Sequence, residues 1–256
     1  KCSARPLDPV LVRKLLELTD YELTMGYRKV CAYLRYEYCI QFNHKKVYRH
    51  MDELKILQPR VIRRQGKKKL PAAAWYCPLK SDVRWEADLT VIPYDGGQLF
   101  LFSVMDVFDK ELIGSWFGFR CQCSDAIAAL KNAVYARFPD GIVPENLDLV
   151  LRLDRGCQFT AFDFGQAARQ FRIRIEYCDV QAPNQKPFIE SFFANFKREE
   201  VYRNIYQNPI QALEAWPKYV AWYNTKRPHG SLNNLAPAQF RNQSRKGVSA
   251  TPILSS

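Results

Sequence analysis

VRWEADLTV, residues 83–91, is the stretch that decides the fold: Trp85, Ala87, Leu89 and Val91 alternate with Glu86, Asp88 and Thr90. A period of two belongs to a strand with one face against a core, and it sets Asp88 on the other, polar face. QLFLFSVMD (98–106) follows and is almost wholly apolar, the pattern of a central strand. ELIGSWFGF (111–119) comes after only residues 107–110. Three strands in hairpin order make an antiparallel meander.

Downstream the period changes. Ser124 is a candidate N-cap for the helix DAIAALKNAVYARF (125–138). LDLVLRLD (147–154) reads as a fourth strand, with Leu147, Leu149, Leu151 and Leu153 facing one way and Asp148, Val150, Arg152 and Asp154 the other. A helix over 161–171, a short strand RIRIEYC (172–178), a loop QAPNQKP (181–187) and a long helix from about Phe188 complete the series. This order predicts an α/β fold, a mixed sheet with flanking helices of the ribonuclease-H-like kind.

Upstream the chain is helical and basic. LDPVLVRKLLELTD (7–20) and GYRKVCAYLRYEY (26–38) predict two helices, and Asn43 is a cap for a third, HKKVYRHMDELKIL (44–57), with Val47, Met51 and Leu54 on one face. Lys45, Lys46 and Arg49 lie off that face, which fits a helix-turn-helix-like unit whose last helix enters a major groove; an ordinary helical bundle with a charged surface fits as well. Residues 1–80 hold 18 Lys and Arg against 7 acids, whereas residues 81–256 hold 20 against 19, so nearly all of the net +12 is N-terminal. DNA is the natural partner of such a segment, with a solubilising arm as the plain alternative. RVIRRQGKKK (60–69), then prolines, reads as a linker whose Arg63, Arg64, Lys67, Lys68 and Lys69 suit a DNA backbone. The domains expected are a helical DNA-binding module (1–58), a basic linker (59–80), a catalytic core (81–204) and a C-terminal helical extension (205–256).

Composition excludes some classes. An apolar content of 47% with 14% aromatic residues is that of a packed protein, and no uninterrupted apolar run reaches membrane-spanning length. The eight cysteines have neither a disulfide-framework spacing nor paired zinc-ligand spacing, so they are read as reduced thiols of a cytoplasmic protein.

Metal-assisted phosphodiester chemistry needs acidic side chains from separate elements that converge on two ions, because Mg²⁺ prefers hard oxygen ligands. Asp88 and Asp154 converge if their strands are neighbours. The third candidate is Glu190 in PFIESFFANFKREE (187–200), where Ile189, Phe192, Phe193 and Phe196 form the buried stripe and Glu190, Ala194 and Lys197 share another row. Taken singly, each acid also fits a structural or solvated role, as do Asp106, Glu86 and His229.

Together the pieces resemble the DD(35)E integrase-core transposases of bacterial insertion sequences, relatives of retroviral integrases. The resemblance rests on WEADLT at Asp88, VMDVFDKELIG, LDRGCQFT at Asp154, FIESFFANFKREE at Glu190 with 35 residues between the last two acids, and YNTKRPHGSLNNLAPAQF near the end. GYRKVCAYL and HKKVYRHMDELKIL are similar to the family's N-terminal DNA-binding segment. The family implies that Asp88, Asp154 and Glu190 bind two Mg²⁺ or Mn²⁺ ions, that Lys197 contacts DNA, and that a homo-oligomer, at least a dimer, cuts and joins double-stranded element ends to target DNA. Arg152, Leu153 and Cys157 depart from the family pattern around the second Asp. Asn184, Gln185 and Lys186 replace the usual Asn-Gly or Asp-Asn pair before the Glu, and Lys186 is a further candidate phosphate contact. The rival expectations are a domesticated DNA-binding protein that keeps the fold without the reaction, and a nuclease that cuts without joining.

Overall fold

The computed structural model describes residues 6–18, 20–59, 78–179 and 185–246. The basic linker residues Arg63, Arg64, Lys67, Lys68 and Lys69 lie outside the described residues. Five strands, β1 (Arg84–Tyr94), β2 (Gly97–Asp106), β3 (Leu112–Gly118), β4 (Val150–Leu153) and β5 (Arg174–Tyr177), form one sheet in the order β3-β2-β1-β4-β5. The first three pair antiparallel, and β4 and β5 add parallel to them beyond β1. The meander and the ribonuclease-H-like mixed sheet are therefore as the alternation predicts. A two-residue turn joins β1 to β2, where Gly96 takes φ +87°, a backbone conformation that side chains resist.

Both faces of the sheet are covered. On one, α5 (Cys123–Arg137) and α7 (Phe162–Gln170) bury Trp85, Ala87, Phe102, Val104, Leu151 and Leu153. On the other, Ile92, Leu99, Leu101 and Met105 join α8 (Pro187–Glu199), α9 (Pro209–Thr225) and the N-terminal helices in a second core. β1 is consequently not the half-buried strand that its alternation predicts: Glu86 and Thr90, on the Asp88 face, are buried as well. Alternation reports the chemistry of a face, and here the polar face is covered by α8 and its neighbours.

The N-terminal unit consists of α1 (Pro9–Leu16), α2 (Asp20–Leu23), α3 (Tyr27–Glu37) and α4 (His44–Glu53). Asp8 caps α1 by accepting from the amides of Val10 and Leu11, and Asn43 caps α4 by accepting from that of Lys45 at 2.9 Å. The expected helix over 7–20 ends at Leu16. The one expected to run to 57 stops at Glu53, where Lys55 turns left-handed at φ +59° and closes it. Ser124 is not the cap of α5 but lies inside its first turn, one residue beyond Cys123. β4 is shorter than the alternating run 147–154 because β1 and β5 offer it partners only over residues 150–153. A short helix, α6 (Cys157–Thr160), and a last one, α10 (Pro237–Arg245), complete the chain. No helix among the described residues is long and apolar enough to cross a membrane.

Candidate active site

β1 and β4 are parallel neighbours with Glu86 opposite Arg152. Two residues further on come Asp88, within β1, and Asp154, one residue past the end of β4, so the two lie close enough for one side chain to reach both. Between them stands a cation from the chain itself. The Lys186 Nζ is 3.0 Å from Asp88 Oδ1 and 3.2 Å from Asp154 Oδ2, and it donates to the Ala87 carbonyl at 3.4 Å. Asp88 Oδ1 also accepts the Leu89 amide, and Asp154 Oδ1 that of Gly156, both at 2.9 Å. A side chain at position 156 would meet the Gln158 amide group and Asp154 Oδ1, so that those side chains would have to shift.

Glu190 sits in the first turn of α8, at the rim. Burial, together with the nearby Asp88 charge, raises its carboxyl above the ordinary range, with Lys186 opposing. Burial likewise raises Asp88, again against Lys186. Lys186 is raised as well: burial lowers it, but Asp88 and Asp154 outweigh that effect. Among the described residues no three acidic, His or Cys side chains converge as a ready-made metal cage. The donor chemistry nevertheless suits a hard divalent cation, and two of the carboxylates are already spaced to share one positive charge.

α8 is positioned from β1. Glu86 Oε2 accepts the amides of Phe188 at 3.1 Å and Ile189 at 2.9 Å, capping the helix that carries Glu190. Burial pushes the Glu86 carboxyl up to about 7, although these two bonds and the Lys110 charge pull it down. The Lys110 ammonium covers the Phe188 ring at 3.2 Å from its centre. From sequence Glu86 looks like a competitor for metal. Its capping role has no local signature, because donor and acceptor are about a hundred residues apart.

Two of the residues that depart from the expected pattern, Arg152 and Gln185, are in contact. Arg152 donates to the Gln185 carbonyl at 2.9 Å and pairs with Glu176. The Gln185 side-chain amide exchanges two bonds with Asp179, accepting its N–H at 2.7 Å and donating to its Oδ2 at 2.8 Å. The residue so fixed immediately precedes Lys186.

The remaining expected DNA contacts are dispersed. Lys197 is half-buried on α8, and Lys45 is exposed on α4. Lys46 is tied to Asp8 at 2.5 Å, and Arg49 donates to the Pro6 carbonyl at 3.2 Å. Lys186, far from projecting outward, is buried between the aspartates. Asp106 spends its carboxylate on the amides of Asp82, Phe108 and Asp109, a structural task. His229 is half-buried with its ring against Tyr223, and loss of water around the ring, with the Arg227 charge adding to it, lowers its pKa well below the ordinary value. The C-terminal signature has a task that sequence alone does not disclose. Arg227 makes a two-pronged pair with Glu199 at the end of α8, at 2.7 and 2.9 Å, and Tyr219 donates to the same carboxylate at 3.0 Å.

Two family models, both described as "Integrase core domain", match residues 78–183 and 171–237, together more than half of the chain, and one described as "HTH-like domain" matches residues 11–65. The chain is 26% identical to the 39.2 kDa protein of insertion element IS476 of Xanthomonas euvesicatoria, over 92% of its own length and 65% of that protein's. It is 26% identical to the 31.7 kDa protein of insertion element IS407 of Burkholderia multivorans, covering 94% and 84%. The transposase for insertion sequence element IS904 of Lactococcus lactis is 27% identical over 61% of this chain and 60% of that one. The chain thus spans less than two thirds of two of these three relatives. Among solved structures, a chain of the simian T-cell lymphotropic virus intasome shares the fold at a TM-score of 0.55 and 16% identity, covering 88% of this chain and 78% of that one. By its matched domains and its relatives, the chain belongs to the integrase-core transposase family.

Proposed function

We propose that this protein is a transposase that cuts and joins DNA at the ends of a mobile element, with Asp88, Asp154 and Glu190 as its metal-binding carboxylates. The observation that carries it is the parallel pairing of β1 and β4, which brings Asp88 and Asp154 within reach of one side chain, with Glu190 in the first turn of the adjoining helix. Two Mg²⁺ or Mn²⁺ ions bound there would activate a water or a 3'-hydroxyl and stabilise the leaving oxygen. The chain's own residues supply position. Glu86 fixes where α8 begins, and Arg227 with Glu199 fixes where it ends, so Glu190 is presented from a helix held at both ends. Lys197 lies on the Glu190 row, where it suits a DNA phosphate. The HTH-like segment with Lys45, Lys46 and Arg49 would hold the double-stranded element ends, and the basic linker would follow the backbone. Pairing two ends calls for at least a dimer.

The test is metal-dependent cleavage and joining of DNA bearing the element's ends. Asp88→Asn, Asp154→Asn and Glu190→Gln should each abolish both steps while leaving the folded state intact by circular dichroism. Undiminished activity in any one removes that residue from the site. A second reading has an observation of its own: Lys186 occupies the space between the two aspartates, as it would in a domesticated DNA-binding protein whose site is closed. Absence of Mg²⁺- or Mn²⁺-dependent cleavage by the wild type, with end binding retained, would establish that reading instead.

A further inference from the structure

We infer that Lys186 is a resident counter-ion of the carboxylate site, so that a divalent ion binds between Asp88 and Asp154 only by displacing its ammonium. The inference deepens the proposed function and rests on the carboxylates being metal ligands. Two observations and a charge argument support it. The ammonium lies within 3.2 Å of an oxygen from each aspartate, the position a shared cation would take, and the side chain is buried there. The placement is built rather than incidental. Arg152 holds the Gln185 backbone and Asp179 locks the Gln185 side chain, so the residue immediately before Lys186 is fixed through both its backbone and its side chain. Finally, the charges are interchangeable: two carboxylates side by side repel unless a cation stands between them, and both an ammonium and a divalent ion meet that need. A lysine is suited to leave, because its charge sits at the end of a rotatable four-carbon stem. Metal affinity in this chain is therefore set by competition with Lys186 as well as by the three acids.

Mn²⁺ binding to metal-free protein, by calorimetry and by the loss of free-Mn²⁺ electron paramagnetic resonance signal, tests this with wild type, Lys186→Gln and Asp88→Asn. Lys186→Gln should bind its first Mn²⁺ at least about tenfold more tightly than wild type. Without metal it should melt at a lower temperature, and Mn²⁺ should raise that temperature by more than it raises the wild type's. A second measurement needs no variant: in the wild type, an amine-acylating reagent read by peptide mass spectrometry should spare Lys186 without metal and modify it once Mn²⁺ is added. If Lys186→Gln does not fold, this labelling decides alone. Equal Mn²⁺ affinity in wild type and Lys186→Gln, or labelling of Lys186 that ignores Mn²⁺, overturns the counter-ion role and leaves the carboxylate site standing. Mn²⁺ binding by Asp88→Asn equal to that of wild type overturns the carboxylate site, and the counter-ion role falls with it.

Discussion

A single carboxylate, Glu86, decides where the candidate catalytic helix begins. It lies two residues before Asp88 on the same face of β1, yet it accepts two amides of α8. Replacing it by alanine leaves those buried amides without an acceptor, and loss of a side-chain cap costs about 0.5–2 kcal/mol. Glu86→Ala should therefore lower the unfolding free energy measured by urea titration by an amount in that range. Glu86→Gln, which keeps a carbonyl oxygen in place, should lose less; a greater loss in the glutamine variant would sink the capping role. The contrast between Glu86 and Asp88 also shows what a sequence discloses at this scale. Asp88 and Asp154 are legible because each ends or punctuates an alternating run, and Glu190 because an apolar stripe fixes the face beside it. Glu86 and Lys186 are not, since the atoms they bind come from elements far away along the chain.

At the scale of elements, α8 is clamped from both ends, and the second clamp is the buried ion pair of Glu199 with Arg227. Both side chains are 1% exposed, so removing Arg227 leaves the buried Glu199 carboxylate only the Tyr219 hydroxyl and the exposed Arg198, at 2.9 Å, in place of its two-pronged partner. Arg227→Met should destabilise the protein by about 3–5 kcal/mol, measured by chemical unfolding. The double variant Glu199→Leu/Arg227→Met should recover much of that loss, because no unpaired charge remains; a double variant as unstable as the single one would show that shape, not charge, is what the pair provides. Element identity was largely readable in advance, since the strands of the meander and the amphipathic helices declare their periods over ten residues or so. Element ends were less so. β4 is cut short by its neighbours, α4 is closed by a left-handed Lys55, and α5 begins without the serine cap that its sequence suggests. Ends depend on partners and backbone strain, which a hydrophobic pattern does not encode.

Over the whole molecule, the charge step near residue 80 suggests a separate basic module, but the N-terminal helices pack into the same core as the sheet face, α8 and α9. The Trp222 indole donates to Glu22 at 2.9 Å, and Tyr21 packs against Tyr219 and Trp222. Such a shared core predicts one cooperative unfolding transition, with tryptophan fluorescence and helical ellipticity changing together. Lys29 on α3 gives a finer probe of this junction. Burial lowers its pKa from 10.5 to about 7, with Arg227 adding to the shift, Glu199 opposing it and Arg198 adding a smaller part. Between those two values the folded protein binds fewer protons at this site than the unfolded chain does, so stability rises with pH across the window. Below about pH 7 the lysine is charged in both states and the full cost of burying the charge is present. Thermal melts of wild type and Lys29→Met from pH 6.5 to 10.5 should therefore approach one another toward the alkaline end, with the variant more stable at the acid end by an amount that shrinks as pH rises. A difference that stays constant across the range would mean that Lys29 keeps its ordinary pKa, and hence that the N-terminal helices are not docked on the end of α8 in solution.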